Sequence, residues 1–235
     1  MKNLVKLALP AIALVATLLS STAGASVIFS DWKTNEGVSG NYIVTLDDST
    51  AGFFDITLTI DPWNAEALGL FLDFGASTYG GSGTISAVST APTSGGAVTF
   101  ITSNTNSNSC GTGCNLNGLN PTLGYDDEWE LVFRLADSGY DNIQTFQWTI
   151  DAGGLLLSDL VAAGARAQQL CDTGELLPDG NCDGSDKSFA ASPDDIFVGI
   201  TSLSFPVSEP GSLALLALGA LGMGWSRRYT VRARK

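Results

Sequence analysis

The stretch Asp179-Gly180-Asn181-Cys182-Asp183-Gly184-Ser185-Asp186 sets oxygen-bearing side chains at alternate positions and follows them with glycine. Asp179, Asn181 and Asp183 match the first half of a calcium loop, Asp-x-Asn-x-Asp-Gly, where hard oxygen donors gather on the ion and glycine lets the chain turn sharply around it. The second half is not there: the twelfth position is Ala190 instead of a bidentate Glu, and Asp186 puts an acid where an apolar residue is usual. An acidic surface turn accounts for the same residues. Asp194 and Asp195 are the nearby carboxylates that would complete a site, and calcium is the single cofactor the sequence raises.

Other chemistry is thinner. The chain has no histidine, so Ser-His-Asp and Cys-His nucleophiles are excluded and the usual general base near neutral pH is missing. Paired carboxylates alone suffice for glycoside hydrolysis, and Asp126-Asp127-Glu128 before Trp129 is where such a pair would be sought. A solvated strand entrance explains that trio equally well. Gly80 to Gly83 is glycine-rich but lacks the Lys of a phosphate loop, and reads as a plain loop. Trp129 and Trp148 fall on the apolar phase of their segments and are expected in the core, while Trp63 sits in a turn where it would be free to stack on a sugar. The expectation is a protein that is not an enzyme.

Four cysteines form two close pairs, Cys110 with Cys114 in CGTGC and Cys171 with Cys182. In an oxidising exterior local bridges 110–114 and 171–182 are the simplest pairing, because short loops close with high effective concentration, and they would pin two surface loops. A zinc site is disfavoured by the lack of histidine and the distance in sequence between the pairs.

These residues need a scaffold, and its signal is period-2. Ile56, Leu58 and Ile60 alternate with Asp55, Thr57 and Thr59; Trp129, Leu131, Phe133 and Leu135 with Glu130, Val132 and Arg134; Phe146, Trp148 and Ile150 with Thr145, Gln147 and Thr149. Such alternation predicts half-buried strands. Further strands are expected at 41–46, 68–74, 83–88, 97–102, 164–170 and 196–205, with a helical turn or two only at 155–163 and turn-rich breaks at 80–83 and 104–108. The predicted fold is all-β, an antiparallel two-sheet sandwich of jelly-roll or immunoglobulin-like type over residues 26–205. A signal helix flanks it at the N-terminus and a short membrane helix at the C-terminus.

Both flanks have sequence reasons. Lys2 and Lys6, an apolar run over 7–19, and small residues Ala23 and Ala25 at −3 and −1 of a cleavage point make residues 1–25 a secretory signal peptide for signal peptidase. All 24 acidic residues lie between Asp31 and Glu209, where only Lys33, Arg134, Arg166 and Lys187 are basic, leaving the exported part near −20. That charge repels phosphates and excludes nucleic acid as a partner. The remaining cations gather at the end as Arg227, Arg228, Arg232, Arg234 and Lys235, after an apolar run at 213–225 shorter than the roughly 20 residues of a relaxed span. Cations there hold the C-terminus on the cytoplasmic side.

Glu209-Pro210, a Leu-, Ala- and Gly-rich run, then Arg227-Arg228 together resemble the PEP-CTERM sorting signal of exported bacterial proteins. The family writes Pro-Glu-Pro before its membrane segment; here Ser208 stands at the first position, with Pro206 two residues earlier. The resemblance, over residues 206–235, implies processing by an exosortase-type membrane enzyme and a transient inner-membrane tether. It also implies delivery to the cell surface or extracellular matrix of a Gram-negative bacterium that makes extracellular polysaccharide. A surface or matrix protein of a biofilm is thus the expected function, with a carbohydrate-binding module that uses calcium as the alternative.

Overall fold

A computed structural model describes residues 25–34, 37–119, 128–136, 140–172 and 182–191. The chain divides into two units, Met1–Asp195 and Ile196–Lys235, and every described residue belongs to the first. The expected signal helix, the C-terminal membrane helix and the strand at 196–205 lie outside the described residues. Among the described residues no helix is long and apolar enough to cross a membrane.

The strands are β1 (Ser26–Phe29), β2 (Lys33–Thr34), β3 (Tyr42–Asp47), β4 (Phe53–Ile60), β5 (Glu66–Asp73), β6 (Ile85–Pro92), β7 (Val98–Thr102), β8 (Leu131–Leu135), β9 (Ile143–Asp151), β10 (Ala162–Leu170) and β11 (Gly184–Ala191). They pair antiparallel into two sheets, one ordered β1-β3-β4-β9-β6 and the other β2-β11-β10-β5-β8-β7. The all-β two-sheet sandwich is the observed fold. Among the described strands only the steps β3–β4, β7–β8 and β10–β11 stay within a sheet. Every other step crosses to the opposite sheet, so the sandwich is wound by crossings more than by hairpins.

The alternation that predicted the strands is what fills the core. Tyr42, Val44 and Leu46 of β3, Phe54, Ile56, Leu58 and Ile60 of β4, and Phe146, Trp148 and Ile150 of β9 all point inward from the first sheet. Leu70 and Leu72 of β5 and Leu131 and Phe133 of β8 meet them from the second. Phe133 and Trp148 touch across the gap edge to face, ring centres 5.1 Å apart. Each buried side chain of this size contributes about 1.5–3 kcal/mol, so one continuous core carries the fold. The outer face of the first sheet is polar, with Thr45, Thr57, Thr59, Thr145 and Thr149 lying along neighbouring strands.

The second sheet departs from the half-buried expectation. All eight residues of β5 are buried, and Glu130 and Val132, placed on the solvent phase by alternation, are 1% and 0% exposed. Trp129 also leaves the phase of Leu131 and Phe133. It packs with Leu68, Phe71, Cys110, Cys114, Leu116 and Val132 in a second cluster on the outer side of the sheet. The physical reason is the stretch 103–119 after β7, which folds back over that face and, with Trp129, dries it.

Three strands carry no clear sequence signal. β1 and β2 are too short to show a period, and β11 is hidden in residues that read as a turn. The helical turn expected at 155–163 is a single 3-10 turn, Leu157–Asp159. The strand expected at 83–88 runs on to Pro92.

Candidate functional site

Both cysteine pairs are bridged, Cys110 to Cys114 and Cys171 to Cys182, with Cα separations of 5.1 and 5.2 Å. The first bridge does more than pin a loop. Its sulfurs lie fully buried on the backbone of Gly69 in β5, where a Cβ would stand 2.5 Å from Cys110 Sγ and 2.7 Å from Cys114 Sγ. Next to it, Gly164 of β10 makes room for Leu116 and the Trp129 ring. The cover is tied at its rim: Trp129 Nε1 donates to Asn108 Oδ1 at 2.9 Å, Arg134 Nη1 to the Thr112 carbonyl at 3.1 Å, and Lys187 Nζ to the Asn117 carbonyl at 2.7 Å. Two of the few cations in this acidic domain thus serve as fasteners.

The second bridge joins the end of β10 to the approach to β11. A cavity of about 330 Å³ beside it is lined by Cys171, Asp172, Cys182 and Asp183. Of the calcium candidates, Asp179 and Asn181 lie outside the described residues, as do Asp194 and Asp195. Among the described residues no three acidic, cysteine or histidine side chains gather as a metal group. From Gly184 onward the chain is strand, paired with β10.

Asp186, read as a surplus acid of that loop, sits inside. It is 0% exposed and its carboxylate accepts from Gly40 N at 2.8 Å, Tyr42 Oη at 2.7 Å and Ser188 Oγ at 2.7 and 2.8 Å. Arg166 Nη1 donates to the carbonyls of Asp186 and Ala167 beside it. Burial, reinforced by the Asp186 charge, raises the Tyr42 hydroxyl well above its ordinary pKa and keeps it a donor. A buried carboxylate is tolerable only when its lone pairs are filled this way. Little in the local sequence distinguishes Asp186 from its neighbours, since apart from Ser188 in its own strand its partners Tyr42 and Gly40 come from β3 and the turn before it.

Over this network lies an open groove of about 320 Å³ whose walls include Asp31, Trp32, Ser39, Asn41 and Asp61. Trp32 packs edge-on against Tyr42, ring centres 5.2 Å apart. The groove is polar, with one aromatic wall and two carboxylates.

The remaining sequence candidates are dispersed. Trp63 is not a free turn residue: it packs on the core and stacks with Tyr140 at 6.3 Å and 20°. Asp126 and Asp127 lie outside the described residues, and Glu128 is exposed. The glycine-rich turn at 80–83 folds onto Asp151, whose carboxylate accepts from Tyr79 Oη, Ser82 N and Ser82 Oγ. It is a packed turn. Sequence reasoning missed Glu66, a carboxyl 1% exposed that accepts from Asp141 N and Asn142 N. Burial, then the Asp141 carboxylate, pushes its pKa up to about 7.

The residues named for export and sorting, Ala23, Ser208, Glu209, Pro210, Arg227 and Arg228, lie outside the described residues, while Ala25 exchanges hydrogen bonds with Asp48 just before β1. The family model described as the PEP-CTERM protein-sorting motif matches residues 206–228. No curated protein and no solved structure matches the chain.

Proposed function

We propose, for a chain that carries a PEP-CTERM protein-sorting motif at residues 206–228, a structural role outside the cell with no catalysis of its own. The motif makes this an exported protein with a transiently membrane-anchored C-terminus that an exosortase-type enzyme processes. The finer reading is that the released β-sandwich becomes part of the surface or the polysaccharide-rich matrix of a Gram-negative bacterium. Three features support it: two disulfides suited to an oxidising exterior, a charge near −20 that keeps the domain soluble, and the lack of any histidine base.

The observation that carries the reading is the motif. Its test is mass spectrometry of material shed by producing cells, with and without Glu209→Ala, Pro210→Ala and the double change Arg227→Ala, Arg228→Ala. Wild-type product should end before Trp225, and the variants should stay in the membrane fraction at full length. Shed wild-type protein with intact peptides through Lys235 would overturn it.

The groove beside Trp32 favours a second reading, carbohydrate binding. An aromatic wall with carboxylate and amide groups suits sugar hydroxyls. A glycan array run with and without calcium, on wild type and Trp32→Ala, decides it; no bound glycan in either condition would remove it.

A further inference from the structure

Residues 74–125 contain no Asp, Glu, Lys or Arg, in a domain that otherwise carries a net charge near −20. The fold gathers part of this stretch on one flank. Among the described residues β6 is the free edge of the first sheet and β7 the free edge of the second, and the two strands approach each other. At the other end of each sheet stand β1 and β2, four and two residues long, with Asp31 and Lys33 among their residues and the link between them. Brevity and charge are the usual protections of a sheet edge against pairing with another chain.

The β6 edge has neither. It is eight residues long and uncharged, and six of them are exposed. Val88 is 42% exposed, and Ile101 on β7 is 39% exposed. Its protections are a bulge between Ser86 and Ser89, where Ala87 takes φ 51°, and a second register shift at Pro92, which cannot donate; Ser89 to Ala91 between them keep a regular register with β9.

We propose that this uncharged flank is a homotypic contact, where β6 and β7 of one molecule meet those of a second copy and bury Val88 and Ile101. Charge selects the partner. Two copies repel through every acidic surface, and at physiological ionic strength that repulsion reaches about 8 Å. Turning β6 and β7 toward their counterparts brings together strands that carry no charged side chain. A basic partner would be drawn to the acidic faces instead, and an anionic polymer would be repelled by the whole domain. An antiparallel edge is also self-complementary, as a two-fold contact requires. The inference goes beyond the sorting role and stands whether or not the tail is processed.

Sedimentation velocity on the protein as exported and purified by its natural route tests it. Wild type should form a concentration-dependent dimer that strengthens as salt rises from about 0.01 M to about 0.5 M, because screening weakens the repulsion between copies. Val88→Glu and, separately, Ser89→Glu should weaken association about tenfold or more, while Thr57→Glu, the same charge change on the outer face of the first sheet, should leave it within about twofold. Thermal melts of each variant show whether it is folded, and either β6 variant suffices. A wild type that stays monomeric to about 100 µM at the higher salt, or an equal loss with Thr57→Glu, would overturn the proposal.

Discussion

Gly69 of β5 and Cys110 of the covering segment pack so closely that a β-carbon on the glycine would stand 2.5 Å from the cysteine sulfur. The neighbour is a buried disulfide and cannot swing away. Gly69→Ala should therefore lift the cover and cost about 1–3 kcal/mol, read as a lower melting temperature with a shift in Trp129 emission. An unchanged melt would show that the cover is loose.

Replacing Cys110 and Cys114 together by Ser should cost more than chain entropy alone. Closing so short a loop accounts for about 2 kcal/mol, and the new hydroxyls would occupy a site with no exposure among Leu68, Phe71 and Val132. The expected readout is a melt lowered beyond that of Cys171→Ser, Cys182→Ser, with dye binding to a newly wetted face. The reverse ranking would place the cover's stability elsewhere.

Glu66 makes stability depend on pH. Its folded pKa is raised from 4.5 to about 7, so the native state favours the neutral form more than the unfolded chain does. The contribution is complete below about 4.5 and is lost as pH climbs through about 7. Glu66→Gln keeps an oxygen for Asp141 N and Asn142 N and cannot ionise. It should melt a few degrees higher than wild type at pH 8 and no higher at pH 4. Parallel pH profiles for the two proteins would refute the assignment.

Asp186 and Tyr42 should show coupling in a double-mutant cycle. Tyr42→Phe removes one donor at about 1–2 kcal/mol, whereas Asp186→Ala strands Gly40 N and the hydroxyls of Tyr42 and Ser188 at a larger cost, about 3–5 kcal/mol. The combined change should cost less than the sum of the two. Strict additivity in chemical denaturation would mean that the 2.7 Å contact adds nothing of its own.

How much of this was legible follows from which signals are local. β4 and β9 announce themselves because one face is wet and the other dry, so Ile56 and Trp148 alternate with threonines and glutamine. β5 and β8 hide their second dry face because what dries it, Cys110, Leu116 and Trp129, comes from a segment whose sequence reads as polar loop. β11 looks like a turn since Gly184, Ser185 and Asp186 have turn chemistry, and only the partners offered by β10 and Tyr42 make it a strand. The bridges were readable from spacing. Glu66 and Asp186 were not, as their burial is conferred by residues 75 and 144 positions away.

The blanket over the second sheet also sets where the molecule breathes. β5 has dry packing on both sides and hydrogen-bonded neighbours along both edges, so its amides would be the last to trade hydrogen for deuterium. Those of β6, at the rim, would be among the first. Heat or denaturant would then peel the sandwich from its uncharged flank inward, leaving β10, β5 and β8 as the last remnant of order.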